Sequence, residues 1–274
     1  MKRMKRIMAL LFCIGSLTLM RCSLVSGPLA GGSGLGNPPT NVAIAMVADT
    51  GLPALGKKAA TDLSLANNTS GRRLSIKDPE GLMYTVTAAT ITVQYIRFVV
   101  AAPESLSVLV LDKGLAVDAT GIVIPGPFVF DVINNIVDPP LDSIRLPRTR
   151  YLGVEMVVNK KDTLPSIEIS GDFTYAGTLH GFVFSLVCNK RFMCGISDGF
   201  SLLDTPATTI TVRMNASTWL DSVDMGTCLD KGWIGFDSNG VLDVDDKMPQ
   251  GCNKYSQIIQ ENIVNSGRLE LEKR

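Results

Sequence analysis

From about residue 83 the chain alternates apolar and polar side chains in short bursts. In TITVQYIRFVV, Ile91, Val93 and Tyr95 alternate with Thr90, Thr92 and Gln94, and the apolar side then moves to Ile96, Phe98 and Val100. Side chains on a strand alternate with period two, so such a slip marks a bulge or a strand changing faces. Further β-branched and aromatic runs follow: LSVLVL, GIVI, FVFDVI, YLGVEMVV, SIEIS, TLHGFVFSLV and TTITVRM. Turn-forming residues separate them, at Gly114, Pro125-Gly126, Pro139-Pro140, Gly171 and Pro206. No helix-length segment intervenes between about 83 and 215. Short strands without crossover helices predict antiparallel pairing, hence a mainly β fold, an antiparallel β-sandwich or barrel.

The pattern is different on either side of this block. Residues 23–80 are rich in Gly, Ala, Pro, Asn and Ser. They read as a flexible tether over 23–41, then an ambiguous stretch in which AIAMVA is a candidate first strand and ANNTSGRR and KDPEG are turns. After the sandwich core at 81–216, residues 217–274 change character again. NASTWLDSV can start a short helix with Ser217 as N-cap. Tyr255, Ile258, Ile259, Ile263 and Val264 recur at helical spacing, and Gly267 is placed to end a short C-terminal helical segment.

The amino terminus changes the picture from fold to location. Lys2, Arg3, Lys5 and Arg6 precede a mostly apolar run from Ile7 to Met20, the layout of a secretory signal. Leu19-Met20-Arg21-Cys22 has the form of a lipobox ending in a lipidated Cys22, although Arg21 stands where a small residue is usual. The competing cut follows Gly27. Lipidation at Cys22 predicts a membrane partner through an acyl anchor, at a bacterial outer membrane or cell surface, with a soluble periplasmic or secreted protein as the alternative. The whole chain is neutral, with 26 basic and 26 acidic residues. Losing the leader through Cys22 removes five bases and no acids, which leaves a charge of −5 and argues against nucleic acid as a partner. Beyond Cys13 and Cys22 the cysteines are Cys188, Cys194, Cys228 and Cys252. In an oxidising compartment an even number predicts two disulfides, and short local loops favour Cys188–Cys194 with Cys228–Cys252.

The best candidate for chemistry is GFDSNGVLDVDD, residues 235–246. With Gly240 at the sixth position of a twelve-residue calcium loop, Asp237, Asn239, Asp243 and Asp246 fall at positions 3, 5, 9 and 12. Ca2+ takes six to eight oxygens, and a turn at the glycine can bring alternate side chains inward. Gly235 occupies the first position instead of a carboxylate, and Asp230 could supply that oxygen from outside. The alternative is an Asx-rich turn, in which Asp and Asn bind backbone donors. GISDG, Gly195–Gly199, matches the G-x-S-x-G nucleophile elbow, but the only histidine, His180, precedes it. A loop beside Cys194 is the simpler reading. One histidine and no C-x-x-C pair exclude the common zinc sites. GGSGLG, residues 31–36, reads as linker, and the acceptor-like Asn67, Asn68 and Asn215 are incidental behind a bacterial leader. Glu155, Glu168 and Asp172 read as solvent-facing strand positions.

Taken together, the leader, the sheet-rich middle, VRMNASTWL within Thr211–Leu220, the acidic loop Asp237–Asp246 and the closing helix Ile259–Ser266 resemble a group of bacterial envelope lipoproteins. The resemblance spans roughly residues 85–270 and implies location and fold more than activity. The expected function is non-catalytic: an exported, lipid-anchored envelope protein that binds a protein or glycan ligand or plays a structural part, with Ca2+ as the candidate stabilising ion. A surface adhesin for host matrix or plasma proteins and a secreted hydrolase are the alternatives.

Overall fold

A computed structural model describes residues 39–50, 71–102, 114–141, 143–160, 164–202, 207–249 and 251–273. The leader, Cys22, the linker glycines, Asn67, Asn68 and the expected strand LSVLVL lie outside them. The protein is mostly β, with a short C-terminal helix, and its strands form sandwiched sheets around a shared core.

The longest element is β3 (Met83–Val100). On one edge it pairs with β2 (Leu74–Lys77) and then with β5 (Gly121–Asp131). On the other it pairs first with β9 (Ile167–Tyr175), over Tyr84–Ile91, and then with β8 (Arg150–Val158), over Val93–Val100. The handover falls at Thr92. Its amide donates to Ser166 O at 2.8 Å, and its carbonyl accepts from the Asn159 amide at 3.1 Å. The sheet therefore forks there. One arm continues from β9 to β10 (Thr178–Leu186) and β13 (Val241–Asp245), and the other from β8 to β11 (Lys190–Ser201). Short strands β4 (Ala116–Val117) and β6 (Ile136–Asp138) both pair with β5.

The phase slip read from TITVQYIRFVV is a bulge. The register shifts between Val93 and Tyr95 on both edges: against β8 Gln94 is the extra residue, and against β5 it faces both Gly126 and Pro127. A second shift, between Val86 and Ala88 against β9, was not legible in the alternation. Each bulge adds one residue, so the buried positions run Tyr84 and Val86, then Ala89, Ile91 and Val93, then Ile96, Phe98 and Val100. One strand thus keeps its apolar side on the core through two changes of phase.

A second sheet has the order β14 (Gly267–Lys273), β12 (Ala207–Asn215), β1 (Thr40–Asp49), β7 (Ile144–Leu146). Strand β12 alternates strictly and buries Thr208, Ile210, Val212 and Met214, the period expected of a half-buried strand. AIAMVA is indeed the first strand. Arg213 on the outer side holds Asp49 at 3.1 Å and Glu270 at 2.8 Å, so one guanidinium ties β12 to both neighbours.

Several expectations need correction. Pairing is not purely antiparallel, because β1–β12 and β10–β13 are parallel. Such pairs need long connections, and among the described residues other strands and short helices lie between the paired strands. Pro125-Gly126 and Gly171 are not turns between strands. Both lie inside strands where another backbone passes too close for a side chain: a Cβ on Gly171 would sit 1.9 Å from Thr85 O, and one on Gly126 2.8 Å from Gln94 O. The single turn at Ala216–Thr218 is a 3-10 turn capped by Asn215, not Ser217. The closing helix, α2 (Lys254–Asn265), ends before Gly267 as expected, but Gly267 then opens β14.

Replacing Gly171 with alanine should cost at least about 2 kcal/mol in urea unfolding, since the obstacle is backbone and cannot rotate away. Gly71→Ala, where nothing lies within 4 Å of the added carbon, is the matched control and should change stability little.

Candidate functional site

The segment between Cys228 and Cys252 stands apart from the sandwich in construction. It starts at helix α1 (Met225–Asp230), capped by Asp224, whose carboxylate accepts from the Thr227 amide at 2.8 Å. Cys228 and Cys252 are both fully buried and form a disulfide with Cα atoms 6.2 Å apart, which is the expected pairing. Three further contacts fasten the segment to the sheet. Strand β13 pairs with β10 from Gly181–Val241 to Ser185–Asp245. Phe236 stacks on His180 with ring centroids 3.8 Å apart, and the Tyr175 hydroxyl donates to Asp230 Oδ1 at 2.6 Å.

The acidic run does not gather its side chains at one point. Asp237 Oδ1 accepts from the amides of Asn239 and Val241, both at 2.8 Å, while the Gly240 amide donates to Asp237 O at 3.0 Å. These backbone donors, Val241 first, hold the Asp237 carboxyl below its usual range. Gly240 has φ +75°, which completes a tight Asx turn. Beyond it the chain does not curl back as a calcium loop does but runs extended as β13. Asp243 therefore stands exposed beside Val183. Asp246 serves as a tie: its Oδ2 accepts from the Val187 amide at 2.7 Å and its Oδ1 from Gln260 Nε2 at 2.8 Å. Asp230 is engaged by Tyr175, and Asn239 by Asp237. Among the described residues no three His, Cys, Asp or Glu side chains are arranged to hold a metal ion.

Cys188 and Cys194 do not form the second disulfide; both are free and buried. The reason is extension. Lys190–Cys194 alone is strand, about 13 Å of chain, whereas bridged Cα atoms lie about 4.4–6.8 Å apart. Cys188 is fixed by Ser166, whose hydroxyl donates to Cys188 O at 2.9 Å and accepts from its amide at 3.0 Å. Burial pushes both thiols up to about 11. GISDG is a bulge in β11: Gly195 pairs with Gly153 and Phe200 with Tyr151, so four residues face Leu152 alone. Gly199, at φ +67°, would place a Cβ 2.4 Å from Tyr151 O. His180 lies on β10, with β9, β3 and β8 between it and β11 in strand order, so the nucleophile-elbow match has no partner base beside it.

Two polar clusters escaped the sequence. Glu155 is buried rather than solvent-facing. It pairs with Arg97, which also holds Asp118 at 2.6 Å, and receives Arg191 at 3.5 Å and the Tyr95 hydroxyl at 3.4 Å. Burial alone would lower the Arg97 pKa, but the hydrogen bond to Asp118 and the Glu155 charge raise it. The second cluster joins the β2–β3 turn to α1. Asp78, 2% exposed, accepts from the amides of Gly81 and Leu82 at 2.9 Å through Oδ1, and the fully buried Tyr84 hydroxyl lies beside it. Glu80 Oε1 accepts from the Thr227 hydroxyl at 3.1 Å. KDPEG reads locally as a turn, and nothing in it signals a meeting with Asp224, 144 positions later.

No protein-family model, curated protein or solved structure matches the chain.

Reducing the Cys228–Cys252 bridge should cost about 3.5 kcal/mol on the loop-entropy scale for a 24-residue separation. In the chain from residue 23 onward, a thiol reagent should find two slow thiols in the native protein and two fast ones in unreduced denaturant. Asp237→Ala should lower the melting temperature through loss of the turn's backbone acceptor, a change that thermal melting reads with or without calcium.

Proposed function

We propose that this chain is an exported, lipid-anchored, non-catalytic envelope protein whose β-sandwich binds a protein or glycan partner or supports the envelope mechanically. The Cys228–Cys252 disulfide carries the reading, because such bridges persist in oxidising compartments. It accords with the basic-then-apolar leader and with Cys22 at that leader's end. Lipid attachment rather than a spanning helix is the membrane link in this reading. Among the described residues no helix is long and apolar enough to cross a membrane.

A binding or structural role is supported by how the polar groups are used. Asp237 and Asp246 are committed to backbone amides, Asp230 to the Tyr175 hydroxyl and Glu155 to arginine partners inside the fold. The acidic turn then serves as a joint between α1 and β13, with the disulfide as its staple. In this reading calcium is not needed to form the joint, since the turn closes on its own amides.

The anchor is tested by metabolic labelling with a fatty-acid analogue. Wild-type protein should take up the label and fractionate with membranes, whereas Cys22→Ser should lose the label and become soluble. Label retained by Cys22→Ser would overturn the anchor.

A further inference from the structure

We propose that Glu80 and Asp224 share a proton under mildly acidic conditions and so clasp the disulfide-stapled segment to the β2–β3 turn. The proposal does not depend on the envelope reading. Both carboxylates close on one residue. The Thr227 amide donates to Asp224 Oδ1 at 2.8 Å, and the Thr227 hydroxyl donates to Glu80 Oε1 at 3.1 Å. Glu80 can approach because residue 226 is glycine: a Cβ there would sit 2.5 Å from Glu80 Oε2. The Glu80 carboxylate therefore lies against the first turn of α1, which Asp224 caps.

The neighbourhood is rich in acceptors and poor in protons. From the β2–β3 turn come Asp78 and Glu80, from β3 Tyr84, from α1 and its cap Asp224, Thr227 and Lys231, and from α2 Tyr255. Lys231 is the only cation among them, and it acts on Asp224. Asp78 and the Tyr84 hydroxyl are buried alongside. Two carboxylates side by side cannot both stay ionised at low cost, and one proton between them converts repulsion into a hydrogen bond.

Electrostatics point the same way. The nearby Asp224 carboxyl, then local desolvation, raises Glu80 above its ordinary 4.5. Burial opposes ionisation of Asp224, but the hydroxyl and amide of Thr227, with Glu80, hold it below 3.8. Burial raises Asp78 as well. A raised carboxyl stabilises the fold at low pH and loses that contribution as pH rises through its folded value. A lowered one contributes at higher pH and fails as pH falls through its folded value. The clasp is therefore tightest between the two, with Glu80 protonated and Asp224 ionised. Tyr84 and Tyr255 are both raised and stay neutral throughout this range.

The test is thermal melting of the whole protein between pH 4.5 and 8, for wild type and Glu80→Gln. The carboxamide donates to Asp224 at every pH. Glu80→Gln should thus melt higher than wild type at pH 7.5 and gain less on acidification. Wild-type amide exchange gives a second readout that needs no variant. At Thr227 it should slow about threefold or more from pH 7.5 to 5 after correction for intrinsic chemistry. A Glu80→Gln protein that melts lower at pH 7.5, or keeps the wild-type pH slope, overturns the clasp. So does calcium at pH 7.5 if it reproduces the effect of acid in wild type but not in Glu80→Gln, because a cation would then be the missing group.

Discussion

Everything in the sandwich hangs on the backbone of one strand having to satisfy two edges over eighteen residues. A buried amide or carbonyl left without a partner costs on the order of a hydrogen bond, so β3 cannot simply end where a neighbour does. It meets the requirement by changing partners at Thr92, from β9 to β8, without leaving a gap. The fork is what gives the sheet two arms. Bulges at Val86/Ala88 and Val93/Tyr95 keep Tyr84, Ile91, Ile96 and Phe98 on the same core through the bend. Gly171 and Gly126 then follow as necessities, because the bulged backbone crowds its neighbours at those positions.

The stapled segment obeys another logic. It holds one six-residue helix and one five-residue strand, too little apolar surface to fold alone. Its order comes from attachment: a disulfide within, β13 on the edge of β10, Phe236 on His180, and carboxylates spent as acceptors for backbone amides. Acidic residues are dense here because a turn-rich segment has many amides to satisfy.

Much of this was legible in the chain, and the failures share a cause. Strict alternation in β12 and the phase slip after Val93 are local signals, and local signals survive folding. Gly171 and Pro125-Gly126 look like turns because glycine and proline usually are, yet what requires Gly171 is a backbone 86 residues earlier in the chain. The preference for short loops paired Cys228 with Cys252 and failed for Cys188 with Cys194, where the chain between them is extended. The spacing of Asp237, Asn239, Asp243 and Asp246 suits a calcium loop only if the backbone curls after Gly240, and pairing with β10 pulls it straight. Glu80 and Asp224 come together through tertiary structure alone.

The four-stranded sheet carries a last implication. Its two central strands, β1 and β12, are parallel partners whose residues lie 166 positions apart, from Asn41 with Ala207 onward, and β14 covers the far edge of β12. That sheet cannot be completed by a chain still missing residues 267–273. A ribosomal stall or a proteolytic nick upstream of Gly267 leaves Ile210, Val212 and Met214 on a strand with a bare edge, open to quality-control proteases and to other unpaired strands. Completion of the sheet thus waits on both of its ends, residues 40–49 and residues 267–273.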